Sequence, residues 1–524
     1  MTAPASVSAS VVVTSLALDT TAAPALILSG TFSGDAPETI TLTGRRLQLS
    51  APVSLDGDGW TARVELLAAR WGGPALPPPS GAYHAGVSFG EQSVRATAGL
   101  AAPRRLPPES LVPGALHLRL AGATDGSLTA HISAPLGDSE KGRPQQARLE
   151  AAYVAARPEP LDAVFFESFY GQNVSDNPLA IDRALALARP DVARYWSVSD
   201  ASVAVPPGAI AIIDGSEEWW RVRAAARVLV VNDWLRRRYV RRPHQVVLQT
   251  WHGTPLKRIA LSRRGVRLRA AVATVRESHR WTILLSQNAY SSRIFRSAYA
   301  FFKGTWEDGY PRNDVLAPGA ASPDDVFALR ARLGIAADAR VLLYAPTWRD
   351  DRPEHVDHLD VARFTRELGD GYVTLVRGHS RTLTPGSAIS GANVIDVTGY
   401  PSVSELFLVA DALVTDYSSV MFDFTVTGKP IYFFVPDLEL YRTQLRGFYF
   451  DLLGSAPGPV VQTADELVRV VADDAVPTRP GVPAQHPPRY ADRYAAWRAK
   501  FNPRDDGHAA ERVVARLLAT GALD

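Results

Sequence analysis

The sequence predicts an all-β domain over residues 1–155, followed by two Rossmann-like α/β lobes over 156–318 and 319–524 with a cleft between them. Three observations predict it. Short alternating or β-branched runs, broken by turn residues, fill the first part of the chain. Compact apolar runs separated by helical stretches fill the rest, the pattern of strands buried on both faces of a parallel sheet. That second pattern occurs twice, with a break near Asn313-Asp314.

In the first part, strands are expected at Ser8–Leu18, Ala25–Phe32, Thr39–Leu49, Trp60–Leu67, Ala115–Leu120 and Ser127–Ser133. Asp56-Gly57-Asp58-Gly59, Pro77-Pro78-Pro79 and Asp125-Gly126 supply the turns. Strands at this spacing suggest a sandwich-like domain. It holds no cluster of His, Asp and Glu with ligand spacing, so a structural or polymer-binding module is expected.

The first α/β series runs through Ala163–Phe166, the helical segment Leu179–Ala188, and strands at Ala209–Ile213, Val228–Val231, Val246–Thr250 and Trp281–Ser286. The second runs through Val341–Ala345, Tyr372–Arg377, Val394–Asp396, Ala412–Thr415 and Ile431–Val435. Parallel sheets bind ligands at the carboxyl ends of their strands, so candidate chemistry belongs there.

Composition narrows the function. With 524 residues, 46% hydrophobic and 21% charged, the chain is globular and has several domains. It has no cysteine, which excludes disulfides, thiolate nucleophiles and Cys-ligated zinc and agrees with a cytoplasmic home. No apolar run reaches the roughly 18 residues of a membrane-spanning helix. The apolar stretch Val11–Val13 precedes the first basic residue, Arg45, so no secretory signal is expected. The formal net charge is only +2, yet residues 231–280 carry thirteen Lys/Arg against Asp233 and Glu277. Arg263, Arg267 and Arg269 with Val266, Leu268 and Val272 suggest a basic amphipathic helix for anionic lipid or a polyanionic substrate. A solvated helix face is the plainer account. No nucleic-acid module is recognisable, so no nucleic-acid partner is expected.

Three strand ends carry candidate chemistry. In Gln249–Lys257 a strand ends and His252 then stands beside Gly253, which lets a ligand approach the backbone closely. Imidazole exchanges a proton near neutral pH, so His252 is a candidate base; the alternative is a histidine that only hydrogen-bonds its loop. Arg377-Gly378-His379 ends another strand: the guanidinium can grip phosphate oxygens and His379 can donate to a leaving group. In Asp411–Asp423 the strand Ala412–Thr415 gives way at Asp416, read as an N-cap, to a helix of about ten residues that Gly428 and Pro430 stop. Ser418 and Ser419 then lie in its first turn, suited to a pyrophosphate, and Asp423 stands one turn on to brace the site or bind a hydroxyl. A simple helix cap explains the same residues. Tyr310–Asp314 offers the cation Arg312, and Ala345–Arg349 offers Thr347 and the stacking ring of Trp348. Each also reads as an ordinary turn.

Together Phe166–Phe169, Asp176-Asn177-Pro178, Gln249–Lys257, Gly309–Asp314, Pro346–Arg349, Arg377–His379, Asp416–Asp423 and Asp506-Gly507 resemble the CDP-glycerol glycerophosphotransferase family, the teichoic acid polymerases and primases. The resemblance covers about residues 160–520 and leaves the β-domain out. It implies a GT-B fold that moves glycerol phosphate from CDP-glycerol to a hydroxyl of a teichoic-acid-type polymer or lipid-linked acceptor, with no required metal or cofactor. By matching position, His252 and His379 would be the essential histidines. Trp251, Gly253, Thr254, Pro255, Arg312, Thr347, Trp348, Arg377, Gly378, Ser418, Ser419 and Asp423 would bind CDP-glycerol. It also implies work at the inner membrane face, which the basic segment suits. Alternatives are a GT-B glycosyltransferase using a nucleotide sugar and a ribitol phosphate transferase using CDP-ribitol.

Overall fold

Alternation builds the first domain. In the strands Thr39–Thr43, Gly59–Glu65 and Leu128–Ser133 every second side chain is buried, and in Gln48–Asp56, Gly81–Ser88 and Leu116–Gly122 the alternation is partial. The buried residues include Ile40, Leu42, Leu49, Ala51, Trp60, Val64, Tyr83, Val87, Leu118 and Ile132. These share one core with the strands Ser10–Asp19 and Ala25–Ser33. A computed structural model describes residues 10–89, 100–103, 106–347, 359–378, 391–438, 447–474 and 486–523. Nine antiparallel strands form one continuous hydrogen-bonded order, so the sandwich-like arrangement is made by a single sheet turning back around its core. Ala101 links two distant parts of it, pairing with Val12 in the first strand and with Ser127 beside Leu128–Ser133. The single strand expected over Thr39–Leu49 is two, because Gly44 N–H bonds Leu47 O at 2.9 Å and turns the chain.

The helix Arg143–Ala155 leads into the first α/β unit: Leu149 and Tyr153 lie in that unit's core, which therefore begins before the expected boundary at 156. Its seven strands are all parallel, in the order Ile210–Ile213, Ala193–Val198, Leu161–Glu167, Ala226–Val231, Val246–Gln249, Ile283–Ser286, Gly304–Glu307. The second unit repeats the plan: Val394–Asp396, Tyr372–Val376, Arg340–Ala345, Ala412–Thr415, Ile431–Phe434, Val460–Val461, again all parallel. In each sheet the order reverses beside the unit's first central strand, and that reversal opens a crevice at the carboxyl edge.

One expectation needs amendment. The helix Ala491–Phe501 packs Trp497 and Phe501 into the second unit. The next helix, Ala509–Leu518, instead puts Val513, Val514 and Leu517 into the first. The segment expected as one lobe through 524 thus returns to its predecessor. The apolar face of this helix fits the groove beside Asp176–Ala188, where Ile181 and Leu185 are fully buried.

Candidate active site

His252 follows the strand Val246–Gln249, adjacent to the strand that ends at Val231. Its Nδ1 lies 2.7 Å from the Asn232 carbonyl oxygen. A carbonyl only accepts, so Nδ1 carries a proton, and the neutral tautomer compatible with this bond has its lone pair on Nε2. The ring stacks on Trp251, centroids 4.6 Å apart, with the Phe169 ring 5.9 Å away. Buried polar groups hold this loop. Gln249 donates to Asp233 O at 2.9 Å and accepts from Trp251 N–H at 2.9 Å. Asn177 Nδ2 reaches the carbonyls of Thr250 and Trp251, both at 3.3 Å. Trp251 itself takes φ = 53°, a strained setting for a bulky residue that this surrounding network enforces.

Gly253 packs against the second unit. A Cβ at this position would stand 2.7 Å from Ser419 Oγ and 3.0 Å from Ser419 Cβ, so no larger residue fits without a shift. Thr254 and Pro255 face inward: Thr254 Oγ1 donates to Gln287 Oε1 at 2.5 Å, and Pro255 O accepts from Tyr290 at 2.9 Å.

Arg312 is buried between the units. It donates to Asp176 at 2.8 Å and to Asp423 at 2.6 Å, and Asn313 donates to the other Asp423 oxygen at 2.9 Å. Burial works against the Arg312 charge, and the two carboxylates overcome it, holding the guanidinium above its ordinary range. Burial likewise pushes Asp423 up, against the pull of Arg312 and Asn313. Beneath them Gln287 donates to Asp505 at 2.7 Å. Burial raises Asp505 to about 6, although Asn502, Tyr310 N–H and Gln287 all donate to it. Arg312, expected to grip pyrophosphate, thus spends both terminal nitrogens on carboxylates, and Asp423 braces rather than faces the cleft.

In the second unit, the helix expected from Asp416 starts later. The Asp416 carboxylate accepts from its neighbour Tyr417 N–H at 2.5 Å and from Thr347 N–H at 2.8 Å, tying together the ends of two adjacent strands. Ser419 is the N-cap residue of a short helix, Val420–Phe424, which continues as a 3₁₀ turn through Thr427 and ends at Gly428 with φ = 74°. Ser418 and Ser419 are half-buried at its start. Arg377 follows the strand Tyr372–Val376 and donates to Tyr400 O at 2.8 Å; burial lowers its guanidinium to about 10, still charged at neutral pH. Gly378 N–H donates to Thr398 at 2.9 Å. His379 and Trp348 lie outside the described residues. Among the described residues no three His, Asp or Glu side chains gather as metal ligands.

The structure therefore brings His252, Gly253, Thr254, Arg312, Ser419 and Asp423 into one contact chain. It adds Asn232, Gln249, Gln287 and Asp505, which sequence reasoning missed as site residues. Only Gln249 carried a signal, its place at the strand end before His252.

A profile of the CDP-glycerol:poly(glycerophosphate) glycerophosphotransferases matches residues 151–519. The chain belongs to this family. The match agrees with the family resemblance of the motifs, and it too leaves out the β-domain. Within the family, the chain is 36% identical over 370 residues to the teichoic acid poly(glycerol phosphate) polymerase of Bacillus subtilis (strain 168), covering 67% of this chain and 48% of that one. It is 34% identical over 369 residues to the teichoic acid glycerol-phosphate transferase of Staphylococcus aureus (strain NCTC 8325 / PS 47), covering 67% of this chain and 91% of the relative. The chain thus spans about half the length of the Bacillus polymerase and nearly all of the Staphylococcus transferase. Among solved structures, the wall teichoic acid polymerase TagF superposes with a TM-score of 0.65 at 32% identity, covering 72% of this chain and 94% of that one. The parallel α/β architecture is thus the family's.

Proposed function

We propose that the protein transfers glycerol phosphate from CDP-glycerol to a hydroxyl of a teichoic-acid-type polymer or lipid-linked acceptor, releasing CMP, in a GT-B-like cleft between the two α/β units. The observation that carries this reading is His252, whose Nδ1–H is committed to Asn232 O, which leaves Nε2 as the nitrogen that can accept a proton. Its neighbour Gly253 packs against Ser419 of the other unit. His252 Nε2 takes the proton of the acceptor hydroxyl as the oxygen attacks the β-phosphorus. The bond from that phosphorus to the bridging oxygen breaks, and CMP leaves with the bridging oxygen. Ser418, Ser419, Arg377 with Gly378, and His379 stabilise the charge on the diphosphate, while Thr347 and Trp348 receive the nucleoside. Positioning and electrostatics carry most of the barrier reduction in phosphoryl transfer. Arg312 and Asp423 act from below by fixing the register of the units.

Glycerol is favoured over ribitol. Relatives named for glycerol phosphate are 33–37% identical over 57–67% of the chain. Those named for ribitol phosphate reach 25–30% over 32–53%. Work at an anionic membrane surface, at the inner face, rests on the helix Leu268–Ser278. There Leu268 is 79% and Val272 51% exposed among Arg263, Arg264, Arg267, Arg269 and Arg276. Among the described residues no helix is long and apolar enough to cross a membrane.

The test is to supply CDP-glycerol, CDP-ribitol, UDP-sugars and GDP-sugars with a polyol-phosphate acceptor. CMP release with CDP-glycerol is the expected result. UDP or GDP release instead would identify a glycosyltransferase and overturn the proposal.

A further inference from the structure

The chain Phe169–Tyr170 is a left-handed pair, φ = 45° and 60°, at the crevice of the first sheet. Phe169 N–H is fixed by Asn232 Oδ1 at 2.9 Å, the same residue whose carbonyl anchors His252. The following residues of both segments meet: Tyr170 O–H donates to Asp233 Oδ1 at 2.5 Å. Arg236 lays its guanidinium over the Tyr170 ring, 3.3 Å from the centroid. Burial and the facing Asp233 carboxylate keep the phenol protonated, well above its ordinary range, so Tyr170 is a fixed platform and not an acid.

This cluster lies one residue beyond the contacts of His252, wholly on the first unit, while Ser419 approaches from the second unit through Gly253. Its unused groups are specific. Asp233 receives both Tyr170 O–H and Trp234 N–H on Oδ1, which leaves Oδ2 without a hydrogen-bond partner among the described residues. Arg236 is exposed and makes no ion pair among the described residues, in contrast to its neighbour Arg237, which is paired with Asp214. The Tyr170 ring holds this exposed guanidinium in place, and a guanidinium so held can grip a phosphodiester.

We infer that Tyr170, Asp233 and Arg236 form a subsite for the acceptor strand, in which Arg236 holds a phosphodiester and Asp233 Oδ2 accepts a hydroxyl of the polyol beside it. A polyol phosphate alternates these two groups along its length, and the structure sets a guanidinium and a carboxylate side by side. The subsite rests on the proposed transferase reading and names the residues that deliver the acceptor hydroxyl to His252.

The experiment uses the full chain, with synthetic oligo(glycerol phosphate) as probe, in two assays. In direct binding without donor, Arg236→Gln weakens oligomer affinity about tenfold or more and Arg236→Lys recovers part of it, as expected for a charged hydrogen bond. In turnover, Arg236→Gln raises the KM for oligomer by a similar factor, with the KM for CDP-glycerol within about twofold. Unchanged oligomer affinity in Arg236→Gln, with CMP still released, overturns the subsite and leaves the transferase reading standing. Oligomer binding that depends on Arg236 without any CMP release supports the subsite and overturns the transferase reading. Equal increases in both KM values mean a disturbed fold rather than an acceptor contact, and reject the subsite.

Discussion

Gly253 and Ser419 are in van der Waals contact across the two α/β units, so that a methyl group on the glycine would stand 2.7 Å from the serine oxygen. The Gly253→Ala protein is expected to lose about 1–3 kcal/mol of stability through overpacking. Combining it with Ser419→Gly should recover the overpacking part of that loss, because the two changes share one space, and leave the backbone strain of alanine at φ = 157°. Chemical denaturation of the single and double variants measures the coupling, and simple additivity would show that the contact does not form.

Arg312 holds one carboxylate from each side. Replacing it with Met leaves Asp176 and Asp423 buried and uncompensated, a loss of about 3–5 kcal/mol. Thermal unfolding and CDP-glycerol turnover should fall together in Arg312→Met. A variant of normal stability that had lost only donor affinity would instead show Arg312 contacting substrate.

Asp505 gives the stability a pH dependence of definite sign. Its folded value, about 6, lies above the 3.8 of an ordinary Asp. The folded state therefore holds the proton more tightly, and stability falls as pH rises from about 4 through 6, by about 3 kcal/mol in all. In Asp505→Asn the overall stability is lower, because an acceptor of three donors is altered, but the Asp505 part of this slope should vanish, leaving that of other buried carboxylates such as Asp423. Urea titrations at pH 4, 5, 6 and 7 read it, and an unchanged slope assigns the titration elsewhere.

Gln249 is buried and holds the loop that carries His252, the base of the proposed reaction. Gln249→Leu frees the Trp251 N–H and the Asp233 carbonyl and lets the histidine loop drift. A misplacement of the base by 1 Å costs about 100-fold in turnover. The expected signature is a fall in kcat with the KM for CDP-glycerol little changed; a KM effect alone would mean that Gln249 supports donor binding.

The exposed Leu268 and Val272 give the membrane proposal its own measurement. Leu268→Glu/Val272→Glu should abolish sedimentation with vesicles rich in phosphatidylglycerol while turnover on a soluble acceptor persists. Retained sedimentation would place lipid contact on another face.

How much of this could be read beforehand follows from what each residue packs against. The strands Val394–Asp396 and Ala412–Thr415 were legible to the residue, the latter because a fully buried parallel strand is a bare apolar run. Ala193–Val198 was missed because its apolar run is broken by Arg194, which is buried only by virtue of its pair with Asp182 at 2.8 Å. Gly81–Ser88 was missed because glycine, alanine and histidine fill the gaps between Tyr83, Ala85 and Val87. His252 was visible as a histidine and glycine at a strand end. The Gln287–Asp505 bond was not, because its partners lie 218 residues apart and neither sits in a local pattern. The later helix start at Val420 likewise depends on a distant acceptor demand, since Thr347 draws on the Asp416 carboxylate.

The return of Ala509–Leu518 to the first unit has a consequence for synthesis. Val513, Val514 and Leu517 are made some 350 residues after Val164 and Phe166, with which they share a core. While the ribosome is still translating the second unit, the groove beside Ile181 and Leu185 lacks its cover. The first α/β unit therefore cannot mature as it emerges, whereas the β-domain, whose core is complete by Ser133, has all its residues early. A nascent polypeptide stalled after Phe501 would present that uncovered apolar groove to chaperones, and release of the helix that follows is the event that seals the first unit.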